Sequence, residues 1–328
     1  AQILEHPRAL TFASALLLGL GLVPGLPLVP FAILAVLVGL VAWTSRRRVT
    51  GHPAAQVARF APLVVYAEPA QHRAIWEGWR DVVQRLDREL GVIVPPLALL
   101  AQDKGSAPRI LVRGVPTVSV GDSVSESLWI ASRQHAGDLM GLQEVEELLR
   151  RVRAVAPADV DAVVPRHMDL ASLRSILVGL VREGIPIADI RSILATLAVH
   201  APGEKRTDVL IDHVRVGLRH VVTHVFAGEE MVLRAVTVSA DVEDMVRSGI
   251  RLREGRVSLV LPPRIKSEIL ESAGATLHDG AVLLTGPEVR RHLQDLLTPV
   301  CPNLRVLSHN ELIDQVRVEP VAQLGVGR

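Results

Sequence analysis

Apolar side chains recur at intervals of three and four residues through Val164–Pro202, and both runs stop at glycine or proline. Leu170, Leu173, Leu177 and Leu180 share one face of a predicted helix, with Ile176 alongside. Asp169 stands at the N-cap position, where its carboxylate can accept from free N–H groups of the first turn. Gly184 can take the left-handed conformation that ends a helix, and Pro186 pre-sets the backbone for the next one. The stripe resumes through Ile187, Ile190, Leu194 and Leu197 and ends at Ala201-Pro202-Gly203. Neither helix buries its stripe alone, so the pattern predicts a helical hairpin packed on its neighbours.

The same reading extends along the chain. Residues 9–44 carry no charged side chain. About 20 apolar residues span a bilayer, so the run predicts two helices, near 9–23 and 28–44, turning at Pro24-Gly25-Leu26-Pro27. The first arm reaches only ~22 Å and needs support from its neighbours. Arg8 before the run and Arg46, Arg47 and Arg48 after it place both ends in the cytoplasm. A signal peptide is the rival reading, and the second apolar arm argues against it. Residues 49–60 read as a linker. Strands are predicted at 62–66, 92–101 and 109–120, with a helix at 72–90 whose Ile75, Trp79, Val82, Leu86 and Leu90 line one face. Helices dominate 142–226, where Leu210, Val214, Leu218, Val221 and Val225 predict one continuous helix over 207–226. From 231 strands (231–238, 256–262, 281–285, 304–308) alternate with helices (241–248, 263–273, 287–298), as in a small open α/β sheet. Residues beyond Pro320 read as a disordered tail.

The ordered string VP-x(4)-L-x(2)-L-x(3)-L-x(2)-L-x(2)-EGIPI-x-DIR-x-I, from Val164 to Ile193, resembles the signature of the FlhA/SctV (FHIPEP) family. That family is the large export-gate component of bacterial type III secretion, in flagella and injectisomes. The PGLP hairpin, the RILVRGVP strand at 109–116 and LSHNEL at 307–312 are similar to the family too, with His309 where tyrosine is usual. The resemblance implies an α+β multidomain chain: a transmembrane hairpin (1–48), a linker (49–60), a βαββ subdomain (61–141), an all-α subdomain (142–228), an α/β subdomain (229–320) and a tail (321–328). It also implies that the chain starts near the end of the family's membrane region. The family inserts a second cytoplasmic subdomain after the 109–120 strand, and here Asp122–Gly141 follows almost at once. Cargo docking, which uses that subdomain, is therefore in question.

What the resemblance implies is an inner-membrane protein whose cytoplasmic part forms a homo-oligomeric, nonameric ring. Its partners would be other export-apparatus membrane proteins, secreted substrates and their chaperones. A specialised paralogue that keeps the scaffold without cargo docking is the alternative, and an injectisome is the preferred setting. Val164, Pro165, Leu173, Leu177, Leu180, Gly184, Pro186 and Ile190 form the motif core. Asp169, Arg174, Glu183, Asp189 and Arg191 are the expected subunit contacts.

Composition adds exclusions. Charge is balanced at 36 basic and 35 acidic residues, so no attraction to nucleic acid is implied. Aromatic residues make up only 3%, too few for base-stacking surfaces. Mean hydropathy is +0.32, raised chiefly by the first 45 residues. The single cysteine, Cys301, excludes an intrachain disulfide and reads as a small buried residue. No phosphate loop, nucleophile elbow or H-E-x-x-H motif occurs, and no enzyme activity or cofactor is expected. His213, His220 and His224 would share one side of a continuous helix, where two of them could hold zinc. A solvated rim is the favoured reading of that stripe. Arg150, Arg151, Arg153, Arg166, Arg174, Arg182, Arg191 and Arg215 interleave with Glu144, Glu146, Glu147, Glu183, Asp189 and Asp212. They suit solvated faces or ion pairs between subunits equally well.

Overall fold

The computed structural model describes residues 61–103, 105–120, 123–253, 256–278 and 280–326. The expected transmembrane hairpin and linker lie outside them. Among the described residues no helix is long and apolar enough to cross a membrane. The described residues divide into two compact units, 61–72 with 96–120, and 73–95 with 123–326.

The first unit holds a four-stranded sheet of order β2-β1-β3-β4. β1 (Leu63–Ala67) runs parallel to β2 (Ala98–Ala101) and antiparallel to β3 (Arg109–Val112). Leu63, Val65 and Ala67 are wholly buried on one face, and Val64 on the other is buried too. The single strand expected over 109–120 is two. Arg113 and Gly114 take φ of +51° and +81°, a two-residue turn with both central residues left-handed, and the chain doubles back as β4 (Val115–Ser119).

The second unit contains the helical block. α1 (His72–Leu90) buries Ile75, Trp79, Val82, Leu86 and Leu90, the face its spacing predicted. α2 (Val124–Gln134) follows β4 almost directly and lies close against α1. A Cβ at Gly78 would stand 2.0 Å from Ser125 Oγ, and the Arg85 guanidinium lies 3.8 Å from the Trp129 ring centre. α3 (Ala136–Leu139), α4 (Leu142–Val155) and α5 (Pro157–Asp161) lead into the hairpin, α6 (Leu170–Arg182) and α7 (Ile190–His200).

Two expectations here need correction. Ile187 precedes the second hairpin helix: Asp189 caps α7, and the Ile187 N–H donates to the Leu90 carbonyl at 2.8 Å. The continuous helix over 207–226 breaks at Leu218 into α8 (Thr207–Gly217) and α9 (Arg219–Ala227). His213 therefore does not share a helix with His220 and His224. It stacks on His200, with ring centroids 4.0 Å apart.

The C-terminal part is an all-parallel sheet of order β10-β5-β8-β9. β5 (Val232–Val238), β8 (Val282–Thr285) and β9 (Arg305–Ser308) are joined by α10 (Ala240–Gly249), α11 (Pro263–Thr276) and α12 (Arg290–Leu297). Val242, Val246, Ile269, Ala273, Leu293 and Leu297 bury their side chains in its core, as does Cys301, whose thiol faces the His278 carbonyl. The strand expected at 256–262 stands outside this sheet. As β7 (Arg256–Leu259) it pairs with β6 (Ile250–Arg253) in a separate ribbon. The expected tail is a strand too. β10 (Arg317–Leu324) lies along β5, accommodates Pro320 at a register shift on the sheet edge, and buries Leu324 completely.

Candidate functional site

The hairpin α6–α7 is built as its caps dictate. Asp169 accepts from the Ser172 N–H at 2.7 Å, and hydrogen bonding from Ser172, its side chain first and its backbone second, holds the carboxyl below the usual range. Asp189 caps α7 through the Ser192 N–H at 3.2 Å. Leu173, Leu177 and Leu180 are fully buried, with Ile190 and Val164 close behind. Val164–Pro165 is a cis bond. Gly184 ends α6 at φ +79°, and Pro186 is half-buried in the corner.

The five charged residues expected at subunit contacts separate into two groups. Asp169, Asp189 and Arg191 are exposed, and Arg191 donates to Asp159 of α5 at 2.8 Å, which raises its already high pKa. Arg174 and Glu183 are engaged inside the chain. Arg174 Nε donates to the Met140 carbonyl at 2.7 Å. Glu183, expected on the exposed surface, is instead half-buried at the C-cap of α6.

Glu183 sits in a cluster that periodicity alone did not single out. It accepts from Arg215 of α8 and, at 2.8 Å, from Arg290 of α12. Those same guanidinium groups meet Glu311, just after β9: Arg215 by a hydrogen bond, Arg290 through Nε at 3.5 Å. Two cations and two anions thus alternate around a closed square. Arg215, Arg290 and Glu311 are each no more than 2% exposed. Burial works against the charged form of Arg290, but Glu183, Asp212 and Glu311 outweigh it and push its pKa up.

The square has an outer rim. Arg290 reaches Asp212 at 2.5 Å, and Arg291 pairs with Asp212 at 2.8 Å and with Asp208. Arg215 also donates to the Val306 carbonyl at 3.1 Å, and Ser308 Oγ donates to Glu311 at 2.8 Å. Beside the square, Arg305 donates to the Arg182 carbonyl at 3.1 Å, satisfying a free acceptor at the end of α6. Arg305 is held below the usual guanidinium value, by burial first and by Arg133 second. Its Nε would stand 2.9 Å from a Cβ at Gly184.

Of the other interleaved arginines, Arg150 and Arg151 pair with Glu147, Arg153 with Asp161 and Arg182 with Asp138. Among the described residues no group of three or more acidic, histidine or cysteine side chains is placed to hold a metal ion.

A family model described as the FHIPEP family matches residues 1–103 and 97–317. The chain belongs to the FHIPEP family. Curated relatives agree. The flagellar biosynthesis protein FlhA of Bacillus subtilis is 30% identical over 219 residues, 65% of this chain and 32% of FlhA. Low calcium response locus protein D of Yersinia pestis is 24% identical over 428 residues, 98% of this chain and 60% of that protein. The chain therefore spans about a third to three-fifths of the length of these FHIPEP relatives. Solved structures share the fold. The Chlamydia pneumoniae CdsV protein superposes with a TM-score of 0.73 at 20% identity, covering 80% of this chain and 98% of that one. A structure described as nonameric EPEC SctV-C superposes at 0.71 with 17% identity, over 80% of this chain and 98% of that one. At such identities the likeness is one of fold. It extends to the α+β arrangement of several subdomains.

Proposed function

We propose that this chain is an inner-membrane export-gate component of a type III secretion apparatus, and that its described region assembles with copies of itself into a ring. The observation that carries the reading is the shared fold with SctV-C, a relative described as nonameric, over nearly all of that chain. Family membership across residues 1–317 supports it independently. The protein would act by binding and conformational change, without covalent chemistry. The uncharged run at 9–44 would be its anchor, with both termini cytoplasmic. Asp169, Asp189 and Arg191 are the exposed charges we assign to subunit contact. Other export-apparatus membrane proteins are its proposed neighbours.

The experiment is a mass measurement of the detergent-solubilised chain by light scattering and native mass spectrometry across a range of concentrations. The reading expects a closed oligomer, nonameric if it follows its relative. A monomer at every concentration, together with normal secretion when the gene is deleted, overturns it.

A second reading is favoured by one observation. The match to the Yersinia protein runs over 428 residues, whereas this chain has 328, and the chain passes from β4 straight into α2. The relative thus holds aligned-span residues with no counterpart here, as the absence of the second cytoplasmic subdomain would produce. On this reading the protein is a ring scaffold that does not receive chaperone-bound cargo. Loss of chaperone pull-down with assembly intact supports it, and stoichiometric chaperone binding refutes it.

A further inference from the structure

We propose that Glu183 and Glu311 are positioning residues: each is shared by Arg215 and Arg290, and together they lock the C-terminal α/β subdomain onto the helical block in one orientation. The square draws its members from four places. Glu183 caps α6 and Arg215 comes from α8, both in the helical block. Arg290 opens α12 and Glu311 follows β9, both in the C-terminal subdomain. Every edge between Glu183 and Arg290, or between Arg215 and Glu311, therefore crosses the junction. Apolar surfaces can slide over one another with little change in buried area. A carboxylate held between two planar guanidinium groups cannot, since any shift leaves a charge unpaired in a low-dielectric interior. Glu311 is further held by Ser308 of its own subdomain, which fixes the carboxylate that Arg215 meets.

A second contact reinforces the same junction. Arg305 of β9 donates to the last turn of α6 and lies over Gly184, where a side chain would collide with it. In this chain Glu183 and Gly184 thus act together as an intramolecular dock. One supplies the shared carboxylate, and the other supplies the space for a guanidinium. The proposal concerns contacts within one protomer, so it stands or falls apart from ring assembly.

The test is a distance measurement in the full chain. Spin labels go on Val199→Cys in α7 and Val321→Cys in β10, both exposed, with the buried Cys301 changed to Ala. Labelled protomers are diluted into unlabelled ones, so only distances within a protomer are read by double electron–electron resonance. The parent is expected to show one narrow distance population. Glu183→Gln and Glu311→Gln, which keep shape and remove charge, are expected to broaden it or add a second population. Arg150→Ala, in the helical block but outside both the square and the proposed subunit contacts, is expected to match the parent. Unchanged distributions in both Gln variants overturn the proposal, as does equal broadening in Arg150→Ala. If the Gln variants do not fold, hydrogen exchange on the unsubstituted chain decides. Amides of α8 and α12 opening together as denaturant rises support the lock. Separate opening of α12 while α8 stays protected overturns it.

Discussion

At Gly184 two demands meet: a left-handed backbone at φ +79° and a guanidinium where a Cβ would go. Gly184→Ala is expected to cost about 1–3 kcal/mol for the backbone alone, read from chemical denaturation. Arg215→Ala removes a cation from between two carboxylates and is expected to cost about 3–5 kcal/mol, because Glu183 and the buried Glu311 are left to share the one remaining guanidinium, Arg290. Asp208 and Asp138 provide a pH signature. Burial opposes their charged forms, but Arg206 and Arg291 at Asp208, and Arg182 and His135 at Asp138, win and hold both below 3.8. The folded chain then binds fewer protons than the unfolded one near pH 4. Their contribution is complete above that pH and is lost as pH falls through the depressed values, so urea midpoints should drop between pH 5 and pH 3. Single residues were unevenly legible. Asp169 and Gly184 act through backbone groups a few residues away, and local spacing exposes that, whereas the cap at Asp189 was masked by the apolar Ile187 before it. Arg215 and Glu311 are 96 residues apart, and nothing local distinguishes them from solvated neighbours.

Among elements, α1 and the α6–α7 hairpin follow their apolar period, because each buries a single stripe. The break at Leu218 did not show, since Leu210, Val214 and Leu218 keep one period up to the break and Val222 continues the buried face beyond it. There the chain turns to bring α9 against the C-terminal sheet, where the Ile313 N–H donates to Thr223 at 3.1 Å. β10 was hidden by Pro320 and by charges at alternate positions, the features that also protect an exposed sheet edge. Leu324→Ala discriminates sharply between strand and tail. As a buried core residue it should cost about 2–5 kcal/mol, whereas in a disordered tail it would cost nothing. The histidines separate in the same way: with His213 stacked on His200, zinc is expected to leave the melting temperature unchanged.

For the molecule as a whole, the order of subdomains was readable from motif resemblance, and the junction between the last two was not. Periodicity reports what one element buries, while a junction is decided by partners far apart in sequence. The whole-chain prediction follows from where its chromophores lie. Of the four tryptophans, Trp76, Trp79 and Trp129 belong to α1 and α2, Trp43 lies outside the described residues and is changed to Phe for this measurement, and the C-terminal subdomain has none. If the helical block and that subdomain unfold together, tryptophan fluorescence and far-ultraviolet circular dichroism should share one midpoint. A dichroism change that precedes the fluorescence change would show the C-terminal part melting alone.

The buried square also has a chronology. Arg215 and Glu183 leave the ribosome long before Glu311, the last of the four to be made. Until then their charges remain hydrated, and the face that the C-terminal subdomain will cover stays wet. A nascent chain halted before Leu304 should therefore remain open to protease along α8. That face closes only when its final partner arrives, so the helical block cannot mature before Glu311 has been made.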